Sequence, residues 1–71
     1  SEVTLGEGDD VFHGGAGGKD TAVYADALAA IEVEAIEGGA RVITTTEGTD
    51  ELYGVEWLLL AGTRHALADL I

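Results

Sequence analysis

Apolar and polar residues alternate through the middle of the chain. Ile31, Val33 and Ala35 are interleaved with Glu32 and Glu34, and the β-branched run Arg41-Val42-Ile43-Thr44-Thr45-Thr46 follows beyond Gly38-Gly39. A period of two puts successive side chains on opposite faces of an extended strand. The pattern therefore predicts strands at Ala30 to Ile36 and Arg41 to Thr46, closed as a hairpin with Gly38-Gly39 in its turn. Propensity alone points elsewhere over 25–37, because Ala, Leu and Glu are good helix formers and the glycine pair would make a C-cap, so strand and helix both remain open there.

Further on, Glu47-Gly48-Thr49-Asp50 reads as a second turn. Leu52-Tyr53 and Trp57 to Leu60 are short apolar segments broken by Gly54, and Ala61-Gly62-Thr63 is a third turn before Arg64 to Leu70. No segment between turn signals is long, which argues for a small all-β domain; Ala66 to Leu70 leaves room for a terminal helical turn. Trp57, Leu58, Leu59 and Leu60 cannot all face one side of a strand. They are expected to supply core under the hairpin and, as a group, a candidate interface.

The amino-terminal third has a different texture. Six of the eleven glycines fall between Gly6 and Gly18, among Glu7, Asp9, Asp10 and Asp20. Aligned on itself, this stretch places Gly6 over Gly15 and Gly8 over Gly17, with Val11-Phe12 and Ala22-Val23 as the apolar pairs that follow. Val11 and Val23 are expected to point inward from a short strand after each turn. The organisation is one compact unit with two parts, a glycine- and aspartate-rich repeat region at 1–24 and a small β capping module at 25–71.

Composition narrows the function. In 71 residues, 14 acidic side chains face 3 basic ones, giving a formal charge of −11, and Cys is absent. Phosphate backbones and anionic lipid surfaces are repelled by such a chain, so neither nucleic acid nor a membrane surface is an expected partner, whereas divalent cations and basic partners are attracted. Trp57 to Ala61, the longest apolar run, is far short of a membrane span. Apolar residues make up 46%, too many for a disordered acidic tail. A domain this small has a marginal core, and with disulfides and thiolate zinc sites ruled out, an oxygen-ligated metal or a partner is the expected supplement. A chain that opens on Ser1 and has no Met reads as an excised module or processed product, with no amino-terminal secretory signal in view.

The chemistry of 6–20 suits a hard cation. In Gly6-Glu7-Gly8-Asp9-Asp10 the glycines permit positive φ and let carbonyls turn inward, while Asp10, with Asp9 beside it, adds charged oxygen. Calcium accepts six to eight oxygens at loose geometry and fits such a loop better than magnesium. Acid pairs such as Asp50-Glu51 and Glu32/Glu34 read as a solvated strand face rather than acid–base partners, so no catalysis is expected of this segment. His13-Gly14-Gly15-Ala16-Gly17-Gly18-Lys19-Asp20 lacks the first glycine and the hydroxyl residue of a phosphate loop.

Leu5-Gly6-Glu7-Gly8-Asp9-Asp10-Val11-Phe12-His13, followed by Gly14-Gly15-Ala16-Gly17, resembles the calcium-binding nonapeptide of the RTX (haemolysin-type) proteins. Asp20-Thr21-Ala22-Val23-Tyr24 and Gly48-Thr49-Asp50-Glu51-Leu52-Tyr53-Gly54-Val55-Glu56-Trp57-Leu58 are similar to the carboxy-terminal module of that family. The resemblance implies short parallel β-roll turns followed by a small antiparallel sheet, calcium held between turns, and type I secretion to the extracellular space; Asp69-Leu70-Ile71 would then end an export signal. It further implies that carbonyls around Gly6, Gly8, Gly15 and Gly17 and the carboxylates of Asp10 and Asp20 are the ligands. Two departures stand out: Leu5 replaces the first glycine, and an extra residue puts Lys19 where an aspartate is expected. With only two turns, the rest of each calcium shell would come from the remainder of a larger parent chain, a second copy or water. The expected function is a calcium-binding structural module of a secreted protein. The alternative is a self-assembly domain that uses the segment Trp57 to Leu60 and the hairpin edge, with calcium incidental.

Overall fold

The structure, a computed structural model, describes residues 2–15 and 18–71. Eight strands follow in order: β1 (Glu2–Thr4), β2 (Val11–His13), β3 (Thr21–Tyr24), β4 (Ile31–Ile36), β5 (Gly39–Thr44), β6 (Thr49–Tyr53), β7 (Trp57–Leu60) and β8 (Thr63–Ala66). Single 3-10 turns occupy Leu28–Ala30 and Leu67–Asp69. The chain is thus all-β, in two small mixed sheets ordered β1-β3-β7-β8 and β2-β6-β5-β4. In the first sheet β1, β3 and β7 run parallel and β8 is antiparallel; in the second, β2 and β6 are parallel while β5 and β4 are antiparallel. The chain passes from one sheet to the other four times, at glycine-containing turns after β1, β2 and β6 and through the glycine-free connection after β3.

Over 25–37 the strand prevails. A helix would scatter Ile31 and Val33 away from one another around its axis, whereas β4 sets both against the core and turns Glu32 and Glu34 to solvent. The hairpin forms two residues earlier than its composition predicts, with β5 beginning at Gly39 and Gly38 at φ 82 in the turn. Thr45 and Thr46 leave the strand because Thr44 donates both its N–H and its hydroxyl to the Gly48 carbonyl, at 3.0 and 2.8 Å, which closes a tight loop. The terminal helical turn is present as Leu67–Asp69, and it buries Leu67.

Among the described residues, nine apolar ones form the core: Ala22, Tyr24, Ala40, Val42, Leu52, Val55, Leu58, Leu60 and Leu67. Burying a leucine fully contributes roughly 1.5–3 kcal/mol. Two sequence expectations are corrected here. Val11 is 62% exposed and Val23 only half-buried, while Phe12, Ala22 and Tyr24 pack inward, since the inward phase of each strand is set by Asp10 and Asp20 just before it. Leu58 and Leu60 lie in the core, which leaves only Trp57 and Leu59 of the expected interface on the outer face. There the Arg64 guanidinium sits 4.5 Å over the Trp57 ring. Among the described residues no helix is long and apolar enough to cross a membrane.

Candidate functional site

The expected ligands separate into two groups at opposite ends of β2. Gly6, Gly8, Asp9 and Asp10 lie before it; Gly15 and Asp20 lie after it, and Gly17 falls outside the described residues. The two turns related by the nine-residue repeat therefore do not stack on each other. Each stacks instead on a turn some forty residues later in sequence.

At the first edge, Gly6 and Gly8 adopt positive φ, 75 and 100. The turn lies against 47–50: Thr49 N–H donates to Asp9 Oδ1 at 2.8 Å, and Asp10 N–H donates to Asp50 Oδ1 at 3.0 Å. The Asp10 carbonyl accepts from Glu51 N–H at 2.9 Å, leading into the parallel pairing of Val11 with Glu51. Gly48 sits so close that a Cβ there would lie 2.7 Å from the Gly8 carbonyl oxygen. Asp10 Oδ2 is buried and has no hydrogen-bond partner.

The second edge repeats the arrangement around Asp20, which is 7% exposed. Its N–H donates to Glu56 Oε1 at 2.8 Å, and its carbonyl accepts from Glu56 N–H and Trp57 N–H at 3.0 and 3.1 Å. Gly14 N–H donates to the Tyr53 carbonyl at 2.7 Å, and Gly15 packs on Gly54. The extra residue in this turn is absorbed by Lys19, which takes a left-handed φ of 70 and stays exposed, so that Asp20 rather than Lys19 faces inward.

Asp50 corrects the solvated-face expectation. It is 0% exposed, accepting from Asp10 N–H and from the Tyr24 hydroxyl at 2.8 Å, while Glu51 turns outward toward Arg41. Glu34 conforms to that expectation, exposed and 3.1 Å from Arg41. Burial pushes the Asp50 carboxyl above its ordinary pKa, and the charges of Asp10 and Asp9 add to this against the lowering effect of its two hydrogen bonds. Burial and the bond to Asp50 likewise raise the Tyr24 phenol, which stays protonated.

A folded-state pKa raised above the unfolded value gives stability that is present at acid pH and lost as pH rises through the folded value. Self-repulsion among the 14 acidic side chains also fades on acidification. In chelator, the urea midpoint is therefore expected to be higher at about pH 5 than at about pH 8, with part of the gain removed by Asp50→Asn. A midpoint that falls on acidification contradicts this.

Sequence reasoning missed Asp50, Tyr24, Thr49 and Glu56. The available signal was an offset of forty, at which Gly8-Asp9-Asp10 falls over Gly48-Thr49-Asp50 and Phe12-His13-Gly14 over Leu52-Tyr53-Gly54, although Val11 over Glu51 breaks the match in residue character. Even the rings register, His13 stacking on Tyr53 with centroids 4.8 Å apart. Among the described residues no three His, Asp or Glu side chains converge as a metal cluster, so a cation at either edge would draw on main-chain carbonyls as well as carboxylates. No family model, curated protein or solved structure matches the chain.

Proposed function

We propose that the chain is a calcium-binding structural module of the RTX kind, part of a protein secreted by the type I route. Its glycine turns would be the turns of a short parallel β-roll. The observation that carries this reading is the first edge: two glycine-containing turns stacked through main-chain N–H groups that donate to the Asp9 and Asp50 carboxylates and to the Asp10 carbonyl, with the buried Asp10 Oδ2 lacking a partner. An unpartnered buried carboxylate oxygen is costly unless a cation or water meets it. Asp10, with carbonyls at Gly6 and Gly8 and the second oxygen of Asp9, would hold calcium there; Asp20 and the Gly15 carbonyl would do so at the second edge. The ion supplies positive charge among acidic residues. In a calcium-poor cytoplasm 14 carboxylates repel one another and keep the chain loose, and outside the cell weak sites with dissociation constants of roughly 10⁻⁴ to 10⁻³ M fill.

A calcium titration followed by circular dichroism and sedimentation tests the reading, with magnesium as control. Calcium at about ten times its dissociation constant is expected to add about 1.4 kcal/mol of stability. Magnesium should not, and Asp10→Ala should abolish the response. Stability indifferent to calcium overturns it. The self-assembly reading rests on Trp57 and Leu59 at the outer face, and dissociation of an oligomer by Trp57→Ala with the calcium response intact would favour it.

A further inference from the structure

We infer that Tyr24 and Asp50 are positioning residues for the first glycine turn, fixing where the Asp10 carboxylate stands without touching the cation themselves. The inference rests on the calcium reading and adds to it. Tyr24 reaches from β3 in one sheet to Asp50 on β6 in the other, and its hydroxyl donates to Asp50 Oδ2 at 2.8 Å. That bond orients the carboxylate so that its other oxygen, Oδ1, accepts the Asp10 N–H at 3.0 Å. On the far side of the same residue, the Asp10 carbonyl accepts from Glu51 N–H. Asp10 is thus clamped to β6 through both main-chain groups, and its buried Oδ2 is the atom left over.

The arrangement also separates two aspartates that look equivalent in sequence. Asp10 and Asp50 occupy matching positions in stacked turns, yet both oxygens of Asp50 are engaged by donors and its side chain is sealed from solvent. Asp50 therefore acts as the partner of Tyr24 and the anchor of Asp10, and the turn at 47–50 needs no ion of its own to hold its shape. Groups that orient a metal ligand from outside the coordination shell govern affinity strongly.

The test is calcium affinity by isothermal titration for the wild-type chain, Tyr24→Phe, Asp50→Asn and Leu67→Ala. Leu67→Ala weakens the core but leaves the clamp on Asp10 intact. Tyr24→Phe and Asp50→Asn are each expected to weaken calcium binding roughly tenfold or more, and Leu67→Ala much less. Equal weakening by all three would mark a merely structural role and overturn the inference, as would wild-type affinity in Tyr24→Phe. Failure of both Tyr24→Phe and Asp50→Asn to fold at saturating calcium would assign the pair to the fold alone and overturn it too. A wild-type chain that binds no calcium overturns the underlying reading along with this one, whereas wild-type binding with unaffected variants overturns only this one.

Discussion

Asp50→Ala is expected to lower the unfolding free energy by about 3 kcal/mol or more, a large share of what a domain of this size has. Asp50 is 0% exposed, and its two oxygens satisfy the Asp10 N–H and the Tyr24 hydroxyl. Truncation strands both donors in a space closed to solvent, at roughly 1–3 kcal/mol for each buried donor left unmade. The void adds to the cost, and release of a buried charge offsets part of it. Tyr24→Phe removes a donor and leaves one carboxylate oxygen unpaired, so its cost should be smaller. Urea unfolding of the two variants at fixed pH and calcium orders them; a loss below about 1 kcal/mol for Asp50→Ala would mean that water enters and replaces the carboxylate.

Gly48→Ala is expected to cost about 2–4 kcal/mol, from two separate causes. Gly48 has φ 91, a left-handed conformation that penalises a Cβ by roughly 1–2 kcal/mol. Its Cβ would also lie 2.7 Å from the Gly8 carbonyl oxygen and 2.8 Å from Asp9 Oδ1, so the two stacked turns would have to part. Gly62 serves as the internal control. It has φ 87 in the two-residue turn between β7 and β8, and a Cβ there meets nothing within 4 Å, so Gly62→Ala carries the backbone cost alone. Thermal unfolding of both variants isolates the contribution of turn-on-turn contact, and equal losses would show that the turns separate without penalty.

The antiparallel half of the fold was legible in the sequence because its signals are local. Glu32 and Glu34 alternate with residues that pack inward, Gly38 lies where the hairpin turns, and Trp57 to Leu60 alternates between outer face and core. The pairing of the glycine turns was not, because the nine-residue self-match compares turns that the chain sends to opposite edges. Their true neighbours answer to a parallel register, Val11 beside Glu51 and Thr21 beside Trp57, which leaves no trace within a short window. Asp50 was misread for a related reason. Next to Glu51 it looks like one of two surface acids, and only the inward phase shared with Leu52 tells them apart. Lys19 showed as an interruption, yet a single left-handed residue accommodates it and returns Asp20 to the inward phase.

The split between local and distant pairings also has a consequence for the order of assembly. β4 with β5, β5 with β6 and β7 with β8 close over short loops, whereas the hydrogen bonds joining Asp10 to Asp50 and Asp20 to Glu56 span 40 and 36 residues. Closing a long loop costs entropy before any contact repays it, and distant pairings slow folding. The β4–β6 meander and the β7–β8 hairpin can thus form early and serve as a template onto which the amino-terminal turns wind last, making the docking of the glycine-rich turns the slow, late step of folding.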